Sequence, residues 1–556
     1  MQLPNFFRAN PWLIVLLLIG LSLRLWGIGI GLPGTALVGD ETSSISYILR
    51  ILATGNPFIH TVNPYPIMMS LLAAPFVVLN LAYIWISNGL HGTGELQTYL
   101  VVHGVSMLQI WPRLIAAFFG TATIFVVFRI LSRLFSRPAA YVGTTAVTIS
   151  LLAVHLSHWG RSHAVMTFFI AASAYAAIRC AEDRSKKYYY ATYILAACSL
   201  ATHYLGATAL IFPFLMIWFY KPNQKEFWKA FGLASLIVIP AYLLNFSGTV
   251  LMVWGAFHNY YIPNDFASLL PVGRYERFYY IFRDLFYLDP VGVVAGGLGV
   301  AWVLYKRQFS KPMLVMLMGL AYFYLIQITI VAAPRESRWL LPMDIMFITF
   351  GFAAVTQAIY EMRWKGRSVL LIITFMLLIP QSVVTLKWLS LLGDHTQLKV
   401  ERWMSEHKAE RIYVNSKYIN PTPTAEAAAW NAENSLRLKS SAKNSYVIEH
   451  PSLFAANGLT YFVGDELSDE NRCSTFAALK INYIVADYTS RQEKADALDK
   501  IKDCISPEPV FVASPGKESL LDLPYENLVN TILTDRFVFG SESVGPWYEV
   551  YSVSTK

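Results

Sequence analysis

The chain has 556 residues, of which 55% are hydrophobic and only 14% are charged. Soluble globular proteins carry about 25% charged residues, so this composition excludes a soluble protein and indicates one that crosses a membrane many times. The net charge of +8 does not indicate nucleic-acid binding, because excess Lys and Arg in membrane proteins marks cytoplasmic loops and no zinc-finger or phosphate-loop spacing is present.

Basic clusters separate the apolar segments and set their orientation. Arg8 precedes the first segment, and further clusters lie at 129–137, 179–187, 221–229, 306–311 and 363–367. If all six are cytoplasmic, the pattern predicts eleven spans, the first of them retained because no cleavage pattern follows it, and the two ends of the chain on opposite sides. The spans are predicted near 11–30, 112–131, 139–157, 164–180, 188–202, 206–220, 230–247, 289–305, 312–332, 339–360 and 368–388.

The apolar segment 67–86 does not fit this alternation, because one more crossing would invert every later basic loop. We therefore predict that it lies in or dips into the outer leaflet, alongside the half-apolar segment 99–110. Residues 31–111 then form the first extracytoplasmic loop.

An acidic pair, Asp40-Glu41, follows the first span directly. On a soluble surface such a pair would be a solvated turn. Beside a membrane, ionisable groups line cavities rather than lipid, and a carboxylate there can accept a proton from a hydroxyl nucleophile.

Arginines recur on the same predicted side of the membrane. Arg113 opens the second span, and Arg335 and Arg338 flank Glu336 before a later one. A guanidinium suits phosphate because its planar fork makes bidentate, charge-assisted hydrogen bonds. Arg24 lies inside the first apolar run, where we expect it to snorkel to the outer interface in preference to contacting a phosphate.

Three histidines, His155, His158 and His163, surround Arg161 at one predicted membrane edge. Their spacing allows metal ligation, but we expect a mixed polar cluster instead. His203-Tyr204 lies on the same predicted side.

From Gly393 the composition becomes that of a soluble domain, which divides the chain into a transmembrane domain (1–392) and an α/β domain (393–556). Helices are predicted at 397–408 and 492–502, with strands at 411–415, 460–463, 482–486, 510–512 and 548–552. Cys473 and Cys504 lie in this domain; a disulfide formed in an oxidising compartment and two separate buried cysteines both remain open.

Five motifs in chain order resemble those of polyprenyl-phosphate-sugar-dependent glycosyltransferases of the GT-C class, the superfamily that includes protein O-mannosyltransferases and lipid A aminoarabinose transferases. They cover about residues 20–345. They are Arg24-Leu-Trp-Gly-Ile28 with Gly39-Asp40-Glu41, Asn63-Pro-Tyr-Pro66, Arg113-Leu-Ile-Ala-Ala-Phe-Phe-Gly120, Thr202-His-Tyr-Leu-Gly206 and Arg338-Trp-Leu-Leu-Pro342.

The resemblance implies a mainly α GT-C-type bundle of about eleven transmembrane helices, with juxtamembrane helices in the first outer loop and a C-terminal soluble α/β domain. It implies that Asp40 is the catalytic carboxylate, with Glu41 beside it. The chain departs from the motifs twice: His163 replaces an acidic residue and His203 replaces a lysine of many relatives. The candidate donor-phosphate and substrate-binding residues are Arg113, Arg161, His163, His203, Tyr204, Arg335, Arg338, His60 and Tyr65.

The expected activity is transfer of a sugar, with inversion, from a polyprenyl-phosphate donor to a hydroxyl of a glycan, lipid or protein acceptor. No metal site or cofactor is firmly implied, although a divalent cation at the acidic pair stays an alternative. We expect a monomer without nucleic-acid partners in a bacterial inner membrane, with site and C-terminal domain extracytoplasmic. The rival interpretations are a transporter or lipid flippase, for which inverted repeats are lacking, and a noncatalytic scaffold.

Overall fold

A computed structural model describes the chain between residues 6 and 554 apart from several stretches. The residues that it does not describe are 1–5, 7, 31, 33–41, 59–65, 104, 247–248, 251–282, 284, 287–288, 331–339, 363–365, 394, 417–422, 436–446, 450, 452–457, 464–471, 489–490, 517–540, 542–545 and 555–556.

The described residues as far as Leu391 are mostly helical. The helices are α1 (Pro11–Leu25), α2 (Thr42–Thr54), α3 (Met68–Ser87), α4 (Thr93–His103), α5 (Ile110–Leu134), α6 (Arg137–Ile149), α7 (Leu151–His158), α8 (His163–Asp183), α9 (Lys186–Thr202), α10 (Ile211–Tyr220), α11 (Gln224–Leu243), α12 (Pro290–Tyr305), α13 (Lys311–Ile330), α14 (Leu341–Glu361), α15 (Arg367–Met376) and α16 (Ile379–Leu391). Short 3₁₀ helices lie at Val105–Gln109 and Tyr204–Leu210.

Every one of the eleven predicted spans coincides with a helix, so the prediction of a mainly α, polytopic membrane protein is confirmed. Among the described residues, six helices are long and apolar enough to cross a bilayer, or seven if α6 and α7, bent by 47°, count as one span. Shorter apolar helical stretches occupy four other predicted spans: Pro11–Leu25, Tyr204–Tyr220, Pro290–Tyr305 and, within α13, Lys311–Leu325. Helix α9, with 17 residues, is less apolar than predicted because tyrosines and small polar residues fill it.

Segment 67–86, predicted to lie in or dip into the outer leaflet, is helical. It is one continuous helix, α3, whose 20 residues and mean hydropathy of 1.9 meet the requirements of a span. An internal proline, Pro75, does not interrupt it. Segment 99–110 is divided between the end of α4 and the 3₁₀ helix Val105–Gln109.

Helices α5, α8 and α14 form the centre of the bundle. In each of them, two thirds or more of the most apolar 18-residue stretch is buried. The buried share is a third or less for α3, α11 and the pair α15–α16. Helix α5 packs on α1, α6 and α8, while α14 packs on α6 and α12. The ends of these central helices are therefore surrounded by protein, where polar side chains need protein partners.

A sheet follows the bundle and confirms the predicted C-terminal soluble α/β domain. Its described elements are α17 (Thr396–Glu406), β1 (Ile412–Asn415), α18 (Ala425–Asn434), β2 (Tyr461–Phe462), α19 (Arg472–Ala478), β3 (Tyr483–Tyr488), α20 (Arg491–Asp499), β4 (Phe511–Ala513) and β5 (Trp547–Ser552). The strand order is β2-β1-β3-β5-β4. Strands β2, β1 and β3 are parallel, whereas β5 pairs antiparallel with β3 and β4.

One disulfide and one ion pair stabilise this domain. Cys473 and Cys504 form a disulfide, which decides between the two alternatives left open by the sequence. Glu549 of β5 accepts hydrogen bonds from Lys494, at 2.8 Å, and from the hydroxyl of Tyr551. Burial raises the pKa of Glu549, but hydrogen bonds from Lys494, Tyr488 and Tyr551 outweigh that effect, and the pKa lies below its ordinary value.

The sheet packs directly on the helix bundle. Tyr488, at the end of β3, pairs with Trp547, at the start of β5. Both side chains are buried in one cluster with Leu151 and Val154 of α7 and with Trp388 of α16. The carboxyl end of β3 therefore faces the end of the bundle at which α7 lies.

Candidate functional site

Six of the predicted site residues lie outside the described part of the chain. They are Asp40, Glu41, His60, Tyr65, Arg335 and Arg338. The described residues nevertheless border them closely. A hydrogen-bonded turn after α1 leads towards Asp40, and α2 begins at Thr42, immediately after Glu41. An acidic pair directly before a helix is electrostatically favoured by the positive end of the helix dipole.

Arg113, in the first turn of α5, binds the turn that follows α1. Its Nη1 donates to the carbonyls of Ile28, at 2.9 Å, and Ile30, at 2.6 Å. The side chain is 1% exposed. Charge-assisted bonds to carbonyls in a site that excludes water are strong, so the turn has a defined position relative to α5.

The same turn contacts two further elements. The Nε2 of His158, at the end of α7, lies 2.7 Å from the carbonyl oxygen of Trp26, and its Nδ1 lies 2.8 Å from that of Val154. Gly27 has a φ of +70°, and a Cβ at this position would lie only 2.9 Å from the Cβ of Leu392. Glycine is required here both by the left-handed conformation and by the close approach of the chain after α16.

Arg24 does not snorkel to the interface, and the expectation for this residue is wrong. It is fully buried, and its guanidinium donates to the carbonyls of Gly20, Thr148 and Val147 at 3.0, 3.3 and 3.3 Å. The last two lie at the end of α6, where the helix breaks and leaves carbonyls without helical partners. Arg24 is a cationic cap for that helix end, a position that the helix dipole favours.

The break between α6 and α7 also has a buried acidic neighbour. Ser150 caps α7 by accepting from the N–H of Ala153, at 3.2 Å, and its hydroxyl lies 3.3 Å from Oδ2 of Asp344, in the first turn of α14. Asp289, which caps α12 through Gly292 at 2.7 Å, is near enough to repel the Asp344 carboxylate. The end of α6 and the starts of α12 and α14 therefore bring together two buried aspartates, Asp289 and Asp344.

His163 and His203 come together where α8 begins and α9 ends. Their ring centroids are 5.0 Å apart, and the His203 ring lies 4.3 Å from that of Tyr204. The Nδ1 of His203 accepts from the N–H of Leu205 at 3.1 Å, so this nitrogen carries no proton and the tautomer is Nε2–H. Arg161, also buried, lies two residues before His163.

The three clustered histidines point in different directions. The His155 ring contacts Trp159, at 5.3 Å, and Trp388, at 4.9 Å, whereas His163 faces His203. Within the residues that the structure describes, no group of three His, Cys, Asp or Glu side chains is arranged to hold a metal ion.

Two residues of this region were missed by the sequence analysis. Asp344 had a readable signal, since it is a lone acid in an apolar helix two residues after the Arg338-to-Pro342 motif, and such residues are expensive in membranes unless they serve a purpose. Trp388 had none, because a tryptophan near the end of a predicted span is an ordinary interface anchor.

Comparisons with known proteins support the resemblance. Residues 96–246 match the family described as dolichyl-phosphate-mannose-protein mannosyltransferase. No curated protein matches the chain significantly.

Solved structures similar to this chain include the oligosaccharyltransferase AglB from Archaeoglobus fulgidus in complex with an inhibitory peptide and a dolichol-phosphate, at 12% identity and a TM-score of 0.48 over 86% of this chain and 70% of that one. ArnT from Cupriavidus metallidurans in the apo state has 11% identity and a TM-score of 0.48, with 98% of both chains covered. The Pmt1-Pmt2 complex of S. cerevisiae bound to the sugar donor has 15% identity and a TM-score of 0.31, over 45% of this chain and 34% of that one.

Identities and scores in this range carry no argument about chemistry. The segment matched by the family model contains Arg113, Arg161, His163, His203 and Tyr204, the predicted site residues that the structure describes. The chain is an integral membrane protein that resembles the membrane glycosyltransferases of the GT-C class.

Proposed function

We propose that the protein transfers a sugar from a polyprenyl-phosphate donor to an acceptor hydroxyl on the extracytoplasmic side of the membrane. One observation carries this proposal: the segment that matches a family of lipid-phosphate-sugar transferases also supplies buried basic and imidazole side chains at one end of the bundle. The turn after α1, which precedes the acidic pair in the sequence, contacts Arg113 and His158 at that same end. This transfer requires a carboxylate that accepts a proton and cations that stabilise the departing phosphate.

The roles follow from charge and position. Asp40 accepts the proton of the acceptor hydroxyl as that oxygen attacks the anomeric carbon, and Glu41 lies beside it. The polyprenyl phosphate leaves from the opposite face, so a single displacement inverts the anomeric centre, through a transition state with oxocarbenium character. Arg335, Arg338 and Arg161, with the imidazole of His203, stabilise the negative charge on the leaving phosphate.

Arg113 serves the site by holding the turn that precedes Asp40, in addition to its charge. Tyr204 and His163 line the same region through their contacts with His203. His60 and Tyr65 complete the proposed substrate-binding set in the first outer loop. Arginines alone can neutralise a lipid phosphate, and a divalent cation at the acidic pair stays the alternative.

Sidedness and domain division belong to the proposal as well. The Cys473–Cys504 disulfide supports placing residues 393–556 in an oxidising compartment, outside the cytoplasm. The simplest setting is a bacterial inner membrane, with a monomer whose transmembrane domain, residues 1–392, carries the site. The acceptor is a glycan, lipid or protein that reaches this outer face.

The direct test is release of polyprenyl phosphate from polyprenyl-phosphate sugars by the purified protein in lipid nanodiscs, with outer-envelope glycans, lipids and proteins supplied as acceptors. Wild type should release it, and Asp40→Asn should lose at least about 100-fold of the rate, in the range of general-base contributions. Glu95→Gln is the matched control, since Glu95 is an exposed carboxylate of the same predicted loop.

Native mass spectrometry of both variants controls for folding and donor binding. Normal turnover by a folded Asp40→Asn protein would show that Asp40 is not the base that accepts the proton of the acceptor hydroxyl. If wild type instead bound only bulk phospholipid and released no polyprenyl phosphate from any donor, the transporter interpretation would replace the enzyme.

A further inference from the structure

A group of lysines lies at the end of the bundle opposite the candidate site. Helix α9 begins at Lys186 and leads to His203 at its other end, and its 17 residues span about 25 Å by the rise of an α-helix. Lys187 follows on α9, and Lys225 and Lys229 lie one turn apart on α11. The side chains of these four exposed lysines form the lysine surface.

Two contacts bring the lysines of α9 and α11 together. The Nζ of Lys186 lies 2.6 Å from Oε1 of Glu226 on α11, and the Nζ of Lys229 lies 5.6 Å from the centre of the Tyr190 ring on α9. Tyr190 follows Lys186 and Lys187 by four and three residues, a spacing that places all three on one face of the helix. The lysine surface therefore borders the junction between the two helices.

This surface carries more positive charge than the protein neutralises. Glu226 pairs with Lys186, whereas the two carboxylates at the end of α8 pair with arginines. Within the described part of the chain, neither Lys187 nor Lys225 has a carboxylate partner. Four ammonium groups and one carboxylate leave three positive charges in excess, which fits an anionic partner.

Helix α11 continues from its lysines into an exposed apolar stripe, formed by Trp228, Gly232 and Leu236. Trp228 is 58% exposed and Leu236 is 73% exposed. No atom lies within 4 Å of the position that a Cβ of Gly232 would take. Because residues four apart share a helix face, a shallow gap separates the two large side chains. Of the most apolar 18-residue stretch of α11, 17% is buried, so the stripe faces lipid.

We propose that the lysine surface binds the headgroup of an anionic phospholipid, whose acyl chain lies along the stripe from Trp228 to Leu236. Lysines at a membrane surface attract anionic lipids, and tryptophan lies at the depth of the headgroups. A soluble anion would contact the lysines alone, whereas a phospholipid contacts both the lysines and the stripe. The lipid would also bridge α9 and α11, since α11 packs chiefly on α9. This lipid site does not depend on the chemistry proposed for the other end of the bundle.

Native mass spectrometry of the full chain, stripped of lipid in detergent, measures the affinity. Phosphatidylglycerol and phosphatidylcholine with the same acyl chains are titrated separately, because only the first has a net negative charge. We expect wild type to bind phosphatidylglycerol with at least about 30-fold higher affinity. Lys225→Gln/Lys229→Gln should lower this affinity by about 30-fold, at about fivefold per lysine, and leave binding of phosphatidylcholine unchanged.

Lys306→Gln/Lys311→Gln is the matched control. It removes the same charge from two exposed lysines between α12 and α13, a turn that contributes nothing to the lysine surface. Its affinity for phosphatidylglycerol should lie within about twofold of wild type. Unfolding of all variants in SDS micelles shows that the exposed substitutions leave the fold intact.

Inorganic phosphate distinguishes a lipid site from a site for a soluble anion. It should displace no more phosphatidylglycerol than chloride does at equal ionic strength. Greater displacement by phosphate overturns the proposal, because the lysines would then bind a soluble anion. Equal affinity of wild type for the two lipids overturns it too, as does wild-type affinity for phosphatidylglycerol in the folded Lys225→Gln/Lys229→Gln protein. An equal loss of affinity in the control would show a general effect of charge and would also overturn it.

Discussion

Replacing Gly27 by alanine tests the close packing of the turn after α1. An L-residue at a φ of +70° costs about 1–2 kcal/mol relative to glycine. The new Cβ would also lie 2.9 Å from Cβ and 3.1 Å from Cδ1 of Leu392, and overpacking of a tight site costs about 1–3 kcal/mol. We therefore expect Gly27→Ala to lower the free energy of unfolding by about 2–5 kcal/mol.

Two other glycines separate the contributions. Gly55 has a φ of +65°, and no atom lies within 4 Å of the position that an alanine methyl group would take there, so Gly55→Ala carries only the conformational cost, about 1–2 kcal/mol. Gly29 has neither feature, and Gly29→Ala should change stability by less than about 0.5 kcal/mol.

The assay is unfolding of the three variants and wild type in mixed micelles of rising SDS content. If Gly27→Ala were no less stable than Gly55→Ala, the contact with Leu392 would contribute nothing and the reasoning about close approach would fail. If it matched Gly29→Ala, the left-handed turn itself would be refuted.

Three further predictions concern other parts of the chain. Replacing Cys473 and Cys504 by serine should lower the stability of the C-terminal domain by about 4 kcal/mol, the loop entropy for a separation of 31 residues; a reductant-dependent shift in gel mobility should be present in wild type and absent from the variant. Because the pKa of Glu549 is lowered on folding, the domain should lose stability as the pH falls below about 4. Unfolding of Glu549→Gln between pH 3 and 7 should lack this loss, and an equal slope in both proteins would contradict the assignment. Arg24→Met should lower stability by about 2–4 kcal/mol because buried carbonyls lose a charged donor; stability equal to wild type in the SDS assay would show that the cap is dispensable.

The sequence predicted the helices well because the signal for a span is local. Apolar runs and the basic residues between them identify helices without knowledge of their neighbours. The bend at Ser150 was not visible in this way, because an apolar run continues through it. For the same reason the role of Arg24 was mistaken: its partners, Val147 and Thr148, lie 123 and 124 residues away, at a helix end that the pattern did not reveal.

The site could be predicted only in part. Residue types with strong chemistry, such as Arg113 and His203, stand out in an apolar sequence and were found. The sequence does not show which way each side chain points. His155, His158 and His163 are close in the chain, but their rings face different partners. His163 faces His203, while His158 contacts the turn after α1. The order of the strands was likewise beyond local reasoning, since β5 pairs with both β3 and β4.

The strand order also determines when the sheet can form during synthesis. β5, residues 547–552, lies between β3 and β4, so the sheet cannot close until the ribosome has made these residues. Domains fold from the N-terminal side during synthesis, and the helices are therefore complete while Trp547 is still absent. The contact between Trp388 and Trp547 therefore forms only after the helices, and a chain cut before Trp547 would keep the helices without this contact.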